Sequence, residues 1–258
     1  MLRMTHDLFR TDSYLTECTA TVTAITAQGI VLDRTVFYPL GGGQAGDTGI
    51  LILANGQKIA ITDTRKGKSE EGIFNDKIAH IPNPDVLEAL LNTEQIGNIE
   101  LRLGDVVTAR IDWARRHRMM RFHTCTHLLC HVVPQLVNGC SITPDYARLD
   151  FNMTDPLDKE VLSAAIAKLV DAALPVTLGT ITDAELDANP ALVKSMSVQP
   201  PRGSGQIRTI GIGTSTLIDL QPCGGTHVAN TAEIGQIVVT KIEKKSATTR
   251  RVVLGFAA

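Results

Sequence analysis

Apolar side chains recur at two different spacings along this chain, and the change comes near residue 112. Residues 20–26, 29–33, 50–53, 58–63 and 105–111 are short runs rich in apolar and β-branched side chains. Val106, Ala109 and Ile111, beside Arg110 and Asp112, give a half-alternating strand pattern. Turn signals at 27–29, 40–49 and 54–56 separate these runs. A small β-barrel fits this spacing, interrupted by one helix at about residues 84–91. From Asp112 the period becomes helical. Asp112 reads as an N-cap, and residues 113–133 run as one helix until Pro134. A strand-turn-strand segment is expected over 139–153 and an amphipathic helix over 158–173. In that helix Val161, Ile166, Leu169 and Val170 can share a face. Strands and short helices then alternate to the end. The change of period sets a domain boundary near residue 110, with no internal repeat and no low-complexity segment.

Composition narrows the class. A chain of 258 residues, 43% apolar and 4% aromatic, with a net charge of -2, is an ordinary globular sequence of one large or two modest domains. No apolar run approaches the ~18 residues of a membrane span, and residues 1–10 lack the apolar core of a secretory signal. A cytoplasmic enzyme without membrane partners is the expectation. The cysteines, at 18, 125, 130, 140 and 223, are odd in number and scattered. That pattern argues for reduced thiols rather than a disulfide framework. Charge is uneven. Residues 1–110 carry a net -4 and residues 111–258 a net +2. The second part gathers its cations at Arg115, Arg116, Arg118 and Arg121, then at Lys241, Lys244, Lys245, Arg250 and Arg251. Such clusters are footprints for phosphate, although solvated helix and strand faces give the same pattern.

His123 and His127 stand four apart on the predicted helix, which stacks them on one face with Cβ atoms ~5–6 Å apart. Two imidazole nitrogens can then meet one ion at ~2.0–2.1 Å. Cys223 and His227 enclose Gly224-Gly225-Thr226, and the two glycines permit a sharp turn that brings both side chains together. A thiolate with imidazoles suits tetrahedral zinc. His131 forms an equally good pair with His127. All three cannot serve one ion, because His123 and His131 are ~12 Å apart along the axis, so spacing leaves the register open. His6, His80 and His117 read as surface or hydrogen-bonded core residues. Thr124, not Glu, follows His123, so a zinc-peptidase helix would lack its general base.

The stretch His123-Thr124-Cys125-Thr126-His127-Leu128-Leu129, with Cys223-Gly224-Gly225-Thr226-His227-Val228, resembles the editing domain of alanyl-tRNA synthetase. It is most similar to that domain's free-standing relatives, the AlaX proteins. Other blocks agree in the family's order. These are Thr35 to Pro39, Gly42-Gly43-Gln44, Asp47-Thr48-Gly49, Pro144-Asp145 with Arg148 and Asp150-Phe151, and Ile234-Gly235 with Ser246 and Arg250-Arg251. The blocks span about residues 20 to 254. Two positions depart from the pattern: Cys125 stands where the family often has Ala, and Cys140 where the synthetase usually has Ser. The sequence around 219–222 also differs from the synthetase form.

The resemblance implies an α+β protein of the medium-length AlaX type. A translation-factor-like β-barrel over 1–110, carrying the glycine-rich motif, would precede an α+β editing domain over 111–258 of the kind shared with threonyl-tRNA synthetase. It selects His123, His127, Cys223 and His227 as the ligands of one Zn2+ and leaves His131 over. It implies hydrolysis of the ester in tRNA(Ala) mischarged with serine or glycine. An alanine pocket cannot strongly reject an isostere that adds only a hydroxyl, so a second, hydrolytic site is required. Either the ion polarises the attacking water, or four protein ligands fill its shell and it anchors the substrate. Gly41-Gly42-Gly43 is expected to form a loop that approaches the site with backbone N–H groups, and Gln44 to bond the substrate or that loop. The stretch from Arg202 to Arg208, with Gly203 and Gly205, is a candidate contact for the tRNA end. Lys244, Lys245, Arg250 and Arg251 are candidates for its phosphates. Two other functions fit the same residues: editing of another mischarged tRNA, or a non-catalytic tRNA-binding module with a structural zinc. A fragment of a whole synthetase fits poorly, since the chain has no room for an aminoacylation domain.

Overall fold

A computed structural model describes residues 5–68, 77–92, 100–200 and 205–257. The chain divides into two compact units. The first is Met1–Gly41 with Ala45–Arg116, and the second is Gly42–Gln44 with His117–Ala258.

In the first unit the strands are β1 (His6–Asp7), β2 (Glu17–Thr26), β3 (Gly29–Leu32), β4 (Arg34–Thr35), β5 (Gly49–Ile52), β6 (Lys58–Lys66), β7 (Ile78–Pro82) and β8 (Val106–Ile111), with helix α1 (Pro84–Asn92). Six of these strands close a barrel in the order β2-β3-β7-β6-β5-β8. Alternation along them sends Ala20, Val22, Ile59, Ile61, Val107, Ala109 and Ile111 inward, where they join Ile30, Leu32 and Leu51 in one apolar core. Polar groups are buried in this unit as well. His80 donates or accepts through Nδ1 with Ile30 O at 2.9 Å and through Nε2 with Thr35 Oγ1 at 2.8 Å. Burial lowers its pKa to about 4, so it is held neutral. Nδ1–H then donates to the carbonyl and Nε2 accepts from the threonine. Arg116 and Asp47 form a fully buried ion pair, with further Arg116 donors on Ser13 O and Val36 O.

The second unit begins within helix α2 (Trp113–Val132). Asp112 Oδ1 accepts the Arg115 N–H at 3.0 Å, which caps the helix, and Pro134 ends it. Every residue from 122 to 130 is buried, so the helix has no solvent-facing side along that stretch. Strands β9 (Val137–Ile142), β10 (Ala147–Asn152), β14 (Ile237–Ser246) and β15 (Thr249–Phe256) form a sheet ordered β14-β15-β10-β9. A second sheet has β12 (Ile207–Gly213) between β11 (Val176–Ile181) and β13 (Leu217–Pro222). Helix α2 touches the first sheet through Phe122 and Phe256, and the second through His127 and Asp219.

Helix α3 (Lys159–Asp171) packs on β14, while α4 (Asp183–Ala188) follows β11. The buried face of α3 is Leu162, Ile166 and Val170, spaced four apart. This corrects the expected face: Val161 points to solvent and Leu169 is half-buried, while the adjacent apolar Leu162 takes the buried position. Among the described residues, no helix is long and apolar enough to cross a membrane. All five cysteines are free thiols.

Candidate metal centre

His123 and His127 project from one side of α2. Cys223 and His227 lie in the turn that follows β13. Their four ligand atoms are within 4.8 Å of one another. Cys223 Sγ is 3.5 Å from His123 Nε2 and 3.3 Å from His227 Nε2. A tetrahedral zinc with ordinary Zn–N and Zn–S bonds would set each such edge at about 3.5 Å.

Hydrogen bonds on the far side of each ring decide which nitrogen faces inward. The Thr226 backbone N–H donates to Gln44 Oε1 at 3.2 Å, which fixes the orientation of that amide. The same oxygen lies 2.7 Å from His123 Nδ1, so Nδ1 must carry the proton and Nε2 is bare. Gln44 Nε2 completes the set by donating to Thr226 Oγ1 at 2.8 Å. Asp219 Oδ2 accepts from His127 Nδ1 at 2.8 Å, and Gln221 Nε2 donates to both Asp219 oxygens at 2.9 and 3.0 Å. Thr124 Oγ1 accepts from Val228 N and sits 3.2 Å from His227 Nδ1. Each imidazole therefore has its outer nitrogen tied and turns Nε2 to the centre, the arrangement that metal-ligating histidines adopt.

The turn itself is held from outside. Arg208 Nη1 donates to Cys223 O at 2.6 Å and to Gly225 O at 3.0 Å. The Gly225 N–H points at Cys223 Sγ, 3.4 Å away. A Cβ on Gly225 would collide with the His123 ring, so glycine is required there. Gly42 and Gly43 take positive φ values of 58° and 85°. The carbonyl of Gly43 accepts from Ile142 N at 2.7 Å, and Gln44 bridges to Ile142 in parallel. The loop is thus stitched to β9, which delivers the buried Gln44 to His123. Cys140 lies directly beneath Gly43.

Cys223 and His227 are poised for a cation at the centre, whereas His127 must release a proton to bind one. Burial alone would raise the Cys223 thiol, yet His123 and His227 hold it well below its usual value. Burial and His123 push His227 well below the ordinary histidine range. Burial pulls His127 down, but Asp219 and Cys223 together outweigh it and raise it to about 10. A thiolate and three imidazoles converging in a buried site suit zinc or another borderline-soft divalent ion. Cys140, by contrast, is pushed up to about 12 by burial and is no thiolate.

The residues expected at the site divide into two groups. Gln44, His123, His127, Cys223, His227 and Arg208 come together, with Gly42 and Gly43 beside them. His131 is exposed and lies outside the cluster. Arg208 contacts the ligand turn. Arg202 and Gly203 lie outside the described residues. Lys244 and Lys245 are exposed on β14. Arg250 donates to the carbonyls of Ser246, Ala247, Thr249 and Thr154, and Arg251 to both oxygens of Asp150. Asp219, Gln221 and Thr124 were not among the expected site residues.

Known proteins align along this same chain. A family profile described as the threonyl and alanyl tRNA synthetase second additional domain matches residues 207–253, and one described as class II (A) tRNA synthetases matches 11–115. The alanyl-tRNA editing protein AlaX-M of Saccharolobus solfataricus is 33% identical, over 96% of this chain and 98% of its own length. The protein of the same name from Methanosarcina barkeri is also 33% identical, over 96% and 97%. The alanine--tRNA ligase of Metallosphaera sedula is 35% identical over 93% of this chain, which spans only 25% of that larger enzyme.

Proposed function

Because this chain belongs to the alanyl-tRNA editing proteins of the AlaX-M type, we propose that it is a trans-acting, zinc-dependent deacylase of tRNA(Ala) carrying serine, with glycine as the second candidate. The observation that carries this reading is the buried His123, His127, Cys223 and His227 cluster, whose rings are each oriented by a separate hydrogen-bond partner. In it, residues 1–110 are a translation-factor-like barrel and residues 111–258 the deacylase, working in the cytoplasm beside translation.

Deacylation adds water across the ester between the amino acid and the terminal ribose, releasing serine and free tRNA. His123, His127, Cys223 and His227 would hold the zinc, which would supply a fixed positive charge for the polar groups of the aminoacyl ester. The chain's own residues do the positioning. Gln44, Asp219 and Thr124 hold the three imidazoles, and Arg208 holds the ligand turn. A serine hydroxyl in such a polar site gains hydrogen bonds that alanine cannot make, so alanine leaves site groups unpaired. Lys244 and Lys245 are the phosphate contacts with side chains still directed at solvent.

Four protein ligands filling the shell also match a structural zinc. That favours one second reading, a tRNA-binding module that hydrolyses nothing. Purified protein offered seryl-, glycyl- and alanyl-tRNA(Ala), with His127→Ala as control, separates the two. The seryl ester is expected to disappear while the alanyl ester persists. Equal hydrolysis of all three would end the editing reading, and binding without hydrolysis would establish the module.

A further inference from the structure

The cationic cluster at the start of α2 is not uniform. Arg116 is buried against Asp47, and Arg115 donates to Gly46 O. Arg118 and Arg121 behave differently. Both guanidinium carbons sit 4.3 Å from the centroid of the Phe256 ring. Arg118 and Arg121 stand three apart on α2 and leave it from the same side, so one phosphate group can accept from both. Each uses Nε on a carbonyl, Arg118 on Pro144 O at 2.7 Å and Arg121 on Ile234 O at 2.8 Å. Among the described residues, no carboxylate pairs with either guanidinium. The nearby acid Glu233 serves the Asn230 cap and faces His117 at 3.8 Å.

Two like charges held on one ring repel, and the repulsion shows. Arg121 is lowered from its usual value first by burial and then by Arg118. Ring contact and two carbonyls fix the pair in place despite that cost. An anion in contact with both would reverse the sign of the interaction. Guanidinium groups with free Nη donors in a fixed geometry are matched to phosphate.

We propose that Arg118 and Arg121, clamped on Phe256, form a binding site for a backbone phosphate of the tRNA. This rests on the editing reading above. The clamp springs from α2 within about two turns of His123 but from roughly the opposite side of the helix. The phosphate it holds is therefore separated from the ester by at least the width of the helix, and belongs to the acceptor stem rather than the terminal nucleotide.

The test uses the intact chain and the variants Arg118→Gln, Arg121→Gln and Arg118→Lys. Seryl-tRNA(Ala) and seryl-adenosine, which lacks phosphate, are the two substrates. Binding of uncharged tRNA(Ala) is measured over a salt series. Arg118→Gln is expected to weaken tRNA binding and cut the preference for tRNA over seryl-adenosine about tenfold. The salt slope should become shallower by about one charge. Arg118→Lys should restore part of the loss. Unchanged binding and salt slope overturn the clamp, as does an equal loss on both substrates. Since uncharged tRNA needs no hydrolysis to be read, the clamp stands or falls separately from the deacylase reading.

Discussion

At the scale of single residues, the candidate metal centre is built on groups that would never touch an ion. Asp219 is the clearest case. It is 5% exposed, accepts a hydrogen bond from His127 Nδ1 and is itself held by Gln221. Asp219→Asn keeps the shape but replaces a charged acceptor with a neutral one. Zinc affinity, measured by competition with a chromophoric chelator, should fall roughly 10–100-fold. An unchanged affinity would mean that the ring is positioned by packing alone. The ligands themselves were legible in the sequence only up to an ambiguity. Spacing gave a histidine pair but could not separate His123/His127 from His127/His131, and the family resemblance made that choice. The supporting residues were not legible, for a definite reason. In β13, Ile218 and Leu220 alternate with Asp219 and Gln221, which reads as a strand with its polar side to solvent. The structure inverts it: Asp219 and Gln221 are the buried pair. Alternation reports that two faces differ, not which one is buried.

Elements were more legible than their faces. Helix α2 begins at its Asp112 cap and ends before Pro134, as local capping chemistry dictates. Five of the six barrel strands fall where apolar runs lie between turn residues, and β7 is the strand that the pattern does not single out. The face of α3 was misjudged because Val161 and Leu162 are adjacent and both apolar, so periodicity alone cannot assign the burial. Within the barrel, His80 joins β7 to β3 and to Thr35 as a neutral, fully buried ring. Its folded pKa of about 4 lies below the ordinary 6.5, so the unfolded chain takes up the proton first as pH falls. The stabilisation from a neutral His80 is complete above pH 6.5 and is lost progressively toward pH 4. The loss is roughly 3 kcal/mol. Urea unfolding followed by Trp113, the single tryptophan and one that packs on the barrel core, reads this directly. The stability difference between the parent and His80→Gln should shrink by that amount from pH 7 to pH 4. A constant difference would show that the ring titrates alike in both states.

At the scale of the whole molecule, the centre joins segments that are remote in sequence. His123 and Cys223 are 100 residues apart, and Gln44 reaches His123 across 79. Local pattern cannot reveal such pairings, because each segment alone is an ordinary loop or helix. The glycine-rich stretch shows this: by sequence it lies among the barrel strands, yet Gly42–Gln44 belong to the second unit. The same remoteness has a thermodynamic consequence. An ion bound to all four ligands exists only in the folded chain, so its binding free energy adds to folding. At a thousandfold excess of free zinc over Kd, the folded state gains about 4 kcal/mol. Thermal unfolding followed by circular dichroism should therefore shift downward on treatment with a strong chelator and recover on adding zinc. Gln44→Ala should diminish the shift, since His123 then loses the acceptor that orients it. If chelator and zinc leave the midpoint where it was, the four side chains do not hold an ion together, and their convergence must be explained by packing and hydrogen bonding alone.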